Sequence, residues 1–334
     1  MSVKVAINGF GRIGRAAMKF LLDNPKFEVV GINDLTSPSV LCHLFKYDSV
    51  HGRWKGDASF GDQSLIVNGK TVRIYSEKDP SKLPWKEIGA QIIFECTGIF
   101  KDGSKLKAHM DAGAKKVLLS VPGKNIDGTF VMGVNDKDYN PSKHHMISNA
   151  SCTTNCLAPL AKVLHETFGI EHGLMTTIHS YTNDQRLLDL PHSDLRRARA
   201  AAMNMIPTTT GAAAAVGLVL PDLKGKLDGF AIRVPTSNVS VVDLTFRSKK
   251  VMTEQSINAA VKEAANGQLK GILQYVDEPL VSIDFNGDKH SSNFDSLCTK
   301  VIDERLAKVI TWYDNETGYS KRLVELAELV AKSL

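Results

Sequence analysis

The chain has 334 residues, 43% of them hydrophobic and 23% charged, with a formal net charge of +5. That length supports about two domains with cores of useful size. Its basic residues are dispersed rather than run together, which speaks against nucleic-acid or membrane binding as a primary role.

Five cysteines form an odd, sparse set, which argues for a reducing compartment rather than a disulfide framework. The start, MSVKVAINGFGRIGR, runs straight into charged and glycine-rich sequence, so no secretory signal is expected. The most apolar stretch, GAAAAVGLVLP, is too short to span a bilayer. A soluble, cytoplasmic protein is the expectation.

VKVAI reads as a buried strand followed by a glycine turn. RIGRAAMKFLLDN then has apolar residues at helical spacing (Ile13, Ala16, Ala17, Phe20, Leu21). FEVVGIND is a second strand, and SLIVNGKTVRIYS a hairpin turning at Asn68-Gly69. AQIIFECTG, KKVLLSV and HHMIS are further strands. Strands alternating with helices predict parallel βαβ units up to about residue 151.

From residue 152 the pattern changes. SCTTNCLAPLAKVLHETFG is helical and GLMTTIHSYT a strand, while residues 183–205 read as a long loop passing into a helix. GFAIRVPTSNVSVVDLTFRS alternates on both sides of a turn, which suggests an antiparallel pair. LAKVITWYDNETG is a strand and turn, and GYSKRLVELAELVAKSL a final amphipathic helix. The expected fold is α/β: a parallel-sheet nucleotide domain of the Rossmann type over 1–151, then an α+β domain with a mixed or antiparallel sheet over 152–316.

NGFGRIG supplies Gly9-x-Gly11-x-x-Gly14 after a strand and at a helix start, with Asp34 twenty residues further on, at the end of the second strand. Gly9 permits the tight turn, Gly11 the close approach of a pyrophosphate, and Gly14 helix–strand packing. Asp34 would accept hydrogen bonds from ribose hydroxyls, which favours NAD over NADP. Thr97 and Ser120 end later strands, where ligands of such sheets bind; a plain strand-end turn explains either residue as well.

Cys152 opens a helical pattern, and a helix N-terminus would lower its pKa. Cys156, one turn deeper, reads as a small buried residue, and the spacing is not that of a C-x-x-C redox pair. A thiol nucleophile needs a base. Of ten histidines, His179 ends an apolar strand and precedes polar sequence, so it should emerge at a rim. For anions, Thr208–Gly211 precede an alanine-rich helix. DLRRAR holds Arg196, Arg197 and Arg199, where a solvated face is the simpler reading. Arg233, inside an apolar strand, must face either an anion or a structural ion-pair partner.

Together SNASCTTNCLAPL, INGFGRIGR, FKYDSVHG, IPTTTGAA, RVPTSNVSVVDL and WYDNETGYS resemble the phosphorying glyceraldehyde-3-phosphate dehydrogenases of the bacterial, NAD-dependent type, in order from Val3 to the last helix. The resemblance implies a thiol attack by Cys152 on the substrate aldehyde, with His179 as base. It implies Thr182 and Arg233 at the substrate phosphate. Ser151, Thr153, Arg197, Thr210 and Gly211 would hold the attacking inorganic phosphate. It places Arg12, Ile13, Asp34, Lys78, Ser120, Asn315 and Tyr319 at NAD, Asn315 on the carboxamide. It further implies a homotetramer and a final helix (317–334) that packs back on the first domain; no metal site is expected. Rival readings are an erythrose-4-phosphate dehydrogenase, and a non-catalytic NAD- or RNA-binding protein.

Overall fold

The computed structural model describes residues 2–334. The chain divides into two compact units, one comprising Met1–Phe130, Asp136–Ala150 and Ser320–Leu334, the other Val131–Asn135 and Ser151–Tyr319.

The first unit holds eleven strands among the described residues: β1 Val3–Asn8, β2 Phe27–Asn33, β3 Tyr47–Asp48, β4 Gly52–Arg53, β5 Ala58–Gly61, β6 Ser64–Val67, β7 Lys70–Tyr75, β8 Ile92–Glu95, β9 Lys116–Leu119, β10 Gly128–Thr129 and β11 Met146–Ser148. Nine of them form one sheet in the order β10-β11-β9-β8-β1-β2-β7-β6-β5. It is parallel from β10 to β7, and the β5–β6–β7 edge is antiparallel. The hairpin between β6 and β7 turns through Asn68 and Gly69, both at positive φ (48° and 77°), the backbone that a two-residue hairpin needs.

Helix α1 (Arg12–Leu22) forms because Gly14, Ala17, Met18 and Leu21 recur at helical spacing and are buried. Helices α2 (Pro38–Lys46) and α3 (Gly103–Asp111) follow β2 and β8 in the chain. Strand β1 lies between β2 and β8, so chain order reverses there. The crevice at the carboxyl ends of such strands is where this architecture binds ligands.

In the second unit α4 (Cys152–Phe168), α5 (Ala212–Val219) and α6 (Glu254–Asn266) accompany seven strands among the described residues: β12 Ile170–Ser180, β13 Ile206–Thr209, β14 Leu227–Val234, β15 Ser240–Ser248, β16 Leu273–Val276, β17 Ser292–Ile302 and β18 Leu306–Tyr313. Their order is β13-β14-β12-β15-β18-β17-β16, a mixed sheet. Two local expectations are corrected. Strands β14 and β15 are not a hairpin: β12 lies between them, parallel to β14 and antiparallel to β15. Residues 183–205 hold no helix; they run as turns until β13, tied by Arg197 and Arg199 to Asp184 and Asp189. Helix α4 is buried along most of its length and packs on α5, α6 and the sheet, so its first residues are held firmly. The last helix, α7 (Thr317–Ala331), belongs to the first unit from Ser320 onward, where Glu328 bonds Asn24 and Lys26. No helix among the described residues is long and apolar enough to cross a membrane.

Candidate active site

The glycine loop is built as a dinucleotide turn requires. Gly9 has φ +91°, and a Cβ there would lie 2.6 Å from the Thr97 amide nitrogen, so only glycine fits. A Cβ at Gly14 would strike the Gly9 carbonyl, whereas the space around Gly11 is open. Gly11 caps α1 without a side-chain bond, so no capping side chain covers the helix start, the end of a helix that favours an anion. Asp34, just after β2, accepts from the Phe10 amide (2.8 Å) and the Thr36 amide (3.0 Å). A carboxylate has about four acceptor positions, so capacity remains for ribose hydroxyls. Thr97 and Ser120 follow β8 and β9, and Lys78 is exposed beyond β7. Ile13 lies on the first turn of α1. The side chain of Arg12 is turned to Asp48 (3.1 Å). The open space at Gly11 and the spare acceptor positions of Asp34 suit an adenosine and pyrophosphate.

Beneath this loop is a buried polar network that the sequence did not reveal. Trp85 Nε1–H donates to His109 Nδ1 (3.0 Å), so the ring proton sits on Nε2 and is donated to Glu95 (3.0 Å). Glu95 also accepts from Asn8 Nδ2 (2.6 Å) and from the amide and hydroxyl of Thr97. Asn33 donates to Asn8 Oδ1 (2.7 Å). The ends of β1, β2 and β8 are thereby fixed to one another, each polar group satisfied away from water.

In the second unit, Cys152 is the first residue of α4, and its Sγ lies 3.5 Å from His179 Nε2. The elbow before it is strained: Ala150 has φ +57°, in the left-handed region that a side chain disfavours. His179 is 4% exposed, and its Nδ1 is 2.6 Å from the Ser180 carbonyl. Arg233 Nη1 also lies 3.2 Å from Nδ1, but it donates to the same carbonyl and to Thr182; the shorter contact, to a carbonyl that only accepts, puts the ring proton on Nδ1 and leaves the Nε2 lone pair for the thiol. Parallel register sets His179 beside Arg233 of β14.

Burial, then the Arg233 charge, pushes the His179 pKa down to about 3, so the ring is neutral. The Cys152 thiol is pushed up, which corrects the expected lowering at the helix start. Burial outweighs the opposing pull of Arg233, the Thr153 hydroxyl and amide, and the Cys152 amide. The resting pair is a thiol facing a neutral imidazole. Cys156 is fully buried, and its thiol is pushed well above the usual range by burial.

Arg233 Nη1 donates to the Ser180 carbonyl (3.1 Å) and to Thr182 Oγ1 (3.3 Å). Its Nε is buried with no protein partner, and among the described residues no carboxylate pairs with it. Of the two readings left open for Arg233, this favours an anion ligand. Arg197 is engaged instead, with Asp184 (2.5 Å), Thr208 Oγ1 (2.9 Å), the Thr209 carbonyl (3.1 Å) and Asp194 (3.6 Å).

Ser151 caps α4, accepting from the Thr154 amide (3.0 Å). Thr210 Oγ1 accepts from the Ala212 amide (3.2 Å) just past Gly211, the N-cap of α5. Thr154 Oγ1 donates to the Ala212 carbonyl (3.4 Å), which brings the two helix starts together. Thr153 points elsewhere, bonding the Tyr313 hydroxyl (2.8 Å), which also meets Thr177 (2.9 Å) and sets its ring edge-on to His179. Asn315 and Tyr319 are both buried, following β18 and on the first turn of α7.

Sequence reasoning missed Tyr313, Ser180, Ser240, Asp184 and Glu95. The motif WYDNETG contained Tyr313, but nothing local tied it to Thr153, 160 residues away.

A glycine loop on a parallel sheet, and a thiol–imidazole pair at a helix start, are the working parts of a dehydrogenase that acts through a cysteine. Residues 3–103 match the family profile described as the glyceraldehyde 3-phosphate dehydrogenase NAD binding domain, and 151–315 match that of the C-terminal domain. The chain is 61% identical over 331 residues to the glyceraldehyde-3-phosphate dehydrogenase of Geobacillus stearothermophilus, covering 99% of both chains. It is 58% identical to glyceraldehyde-3-phosphate dehydrogenase 1 of Bacillus subtilis, again over 99% of both, and 53% identical to the Streptomyces coelicolor enzyme over the whole of each. The chain belongs to the glyceraldehyde-3-phosphate dehydrogenase family, and its cofactor is NAD.

Proposed function

We propose that the chain oxidises D-glyceraldehyde 3-phosphate and captures the acyl group on inorganic phosphate, giving 1,3-bisphosphoglycerate in glycolysis. The observation that carries this reading is the 3.5 Å approach of Cys152 Sγ to the unprotonated Nε2 of His179. Moving the proton from sulfur to Nε2 costs no net charge, so a buried pair that opposes each ion separately still permits the transfer. Sγ attacks the aldehyde carbon as His179 takes the thiol proton and passes it to the carbonyl oxygen. Nε2 then takes the hydroxyl proton of the hemithioacetal as the C–H bond breaks, leaving a thioester on Cys152. Bound NAD supplies the hydride acceptor. Inorganic phosphate attacks the thioester carbon, the acyl phosphate leaves, and the sulfur recovers its proton from His179.

Arg233 and Thr182 hold the substrate phosphate. Ser151, Thr210, Gly211 and Arg197 serve the attacking one, with Thr153 contributing its main-chain amide because its hydroxyl is held by Tyr313; Arg197 exchanges its contact with Asp184 for the anion. Gly9, Gly11, Arg12, Ile13, Gly14, Asp34, Lys78, Thr97, Ser120, Asn315 and Tyr319 hold the cofactor.

The functional division is an NAD domain over 1–151 with the helix from 317, and a catalytic domain over 152–316. We assign a homotetramer, supported by the exposed apolar residues Leu174 and Phe230 on one sheet. We assign a cytoplasmic setting, in keeping with five free thiols. The test compares NADH formation from glyceraldehyde 3-phosphate and erythrose 4-phosphate in wild type and Cys152→Ser. The three-carbon substrate should win, and Cys152→Ser should lose nearly all turnover; preference for the four-carbon aldehyde would overturn the assignment.

A further inference from the structure

Asn315 follows β18, Ser180 ends β12 and Ser240 begins β15, three neighbouring strands of one sheet. Asn315 Oδ1 lies 2.7 Å from Ser180 Oγ and 2.9 Å from Ser240 Oγ. The serines are 0% and 1% exposed and Asn315 is 7% exposed. The Ser180 amide donates to Ser240 Oγ (3.1 Å), filling an acceptor position there and leaving the Ser240 hydroxyl proton for Asn315. Each hydroxyl thus has one donor, and both donors fill the lone pairs of Oδ1.

An amide is usually ambiguous between its oxygen and nitrogen ends; here the surrounding donors decide it. Turning it over would confront two buried hydroxyls with an NH2 group; one hydroxyl could then donate to the other (3.3 Å), but the second proton would be stranded away from water. The Asn315 NH2 therefore faces away from the serines, and among the described residues no protein acceptor meets it.

The backbone beside Ser240 is held at a cost. Val239, a β-branched residue, has φ +66° and is packed with Val276 and Phe285. Ser180 has a second task, since its carbonyl fixes the His179 proton on Nδ1.

We propose that Ser180 and Ser240 are positioning residues that lock Asn315 with its NH2 outward, so that the site takes the nicotinamide end of NAD by the carbonyl oxygen of its carboxamide. This rests on the reading of Asn315 as the carboxamide contact. A single residue, Ser180, then sets both the tautomer of the base and the orientation of the cofactor holder, the first through its carbonyl and the second through its hydroxyl.

The test is equilibrium binding of NAD and of ADP-ribose, which lacks the nicotinamide, to wild type, Ser180→Ala, Ser180→Thr and Asn315→Ala. Ser180→Ala keeps the carbonyl and removes only the hydroxyl. It should weaken NAD by about five- to tenfold, the effect of one hydrogen bond, and leave ADP-ribose unchanged. Ser180→Thr should restore NAD binding. Should Ser180→Ala fold poorly, Ser180→Cys gives the same readout, since S–H is a weak donor. Unchanged NAD affinity, or equal weakening of both ligands, overturns the proposal. Asn315→Ala separates the two layers: if it weakens NAD while Ser180→Ala does not, the contact stands and the lock fails. If Asn315→Ala also leaves NAD untouched, the contact reading falls with it.

Discussion

The Nδ1 of His179 lies 2.6 Å from the carbonyl oxygen of Ser180, and this one contact decides which ring nitrogen meets the thiol of Cys152. Replacing the ring removes the base. His179→Gln should lower kcat/KM by about 10²–10⁴-fold, the range for a lost general base. Iodoacetamide should also alkylate Cys152 more slowly in that variant. Unchanged alkylation and turnover would show that the imidazole takes no proton.

The buried neutral ring makes a signed prediction about stability. The folded pKa of His179 is lowered to about 3, against about 6.5 in the unfolded chain. Its contribution is therefore fully present above pH 6.5 and is lost as pH falls toward 3, because only the unfolded chain takes the proton. Urea unfolding at pH 7 and pH 5 should show wild type losing about 2 kcal/mol more than His179→Gln over that interval. A resting thiolate–imidazolium pair would reverse the sign.

The two cysteines of α4 should differ sharply toward alkylation. Cys152 is partly exposed, whereas Cys156 is sealed against Thr311 and Ser292. Peptide mapping after brief iodoacetate treatment should find label on Cys152 well before Cys156. Equal labelling would mean that neither thiol is activated.

The arginines should separate kinetically. Arg197→Lys should raise KM for inorganic phosphate about tenfold or more while leaving the acylation step near wild type, because lysine cannot reproduce a bidentate fork. Arg233→Lys should instead raise KM for the aldehyde phosphate. A common effect of both on the same substrate would rule out two distinct anion sites.

Much of the first unit was legible because its signals are local. The glycine turn needs Gly9 at positive φ, the hairpin needs Asn68-Gly69, and α1 shows its buried face within eleven residues. The start of α4 at Cys152 was legible for the same reason. The pairing of β14 with β15 was misread because alternation reveals a strand but not its partner. The eleven residues of β12 fit between them, and a long-range choice overrode the short turn. The raised pKa of Cys152 is not legible in the sequence, where a helix start is visible and the desolvation of the thiol is not. The Asn315–Ser180–Ser240 cluster joins residues 60 to 135 positions apart, and no local pattern marks it.

The most direct test of the account is a rapid-mixing record of NADH formation with enzyme, NAD and glyceraldehyde 3-phosphate but no inorganic phosphate. A Cys152 thioester that phosphate must release predicts a burst of one NADH per active site, then a stall that added phosphate relieves, and no burst in Cys152→Ser. Steady turnover without phosphate, or a burst that survives Cys152→Ser, would contradict it.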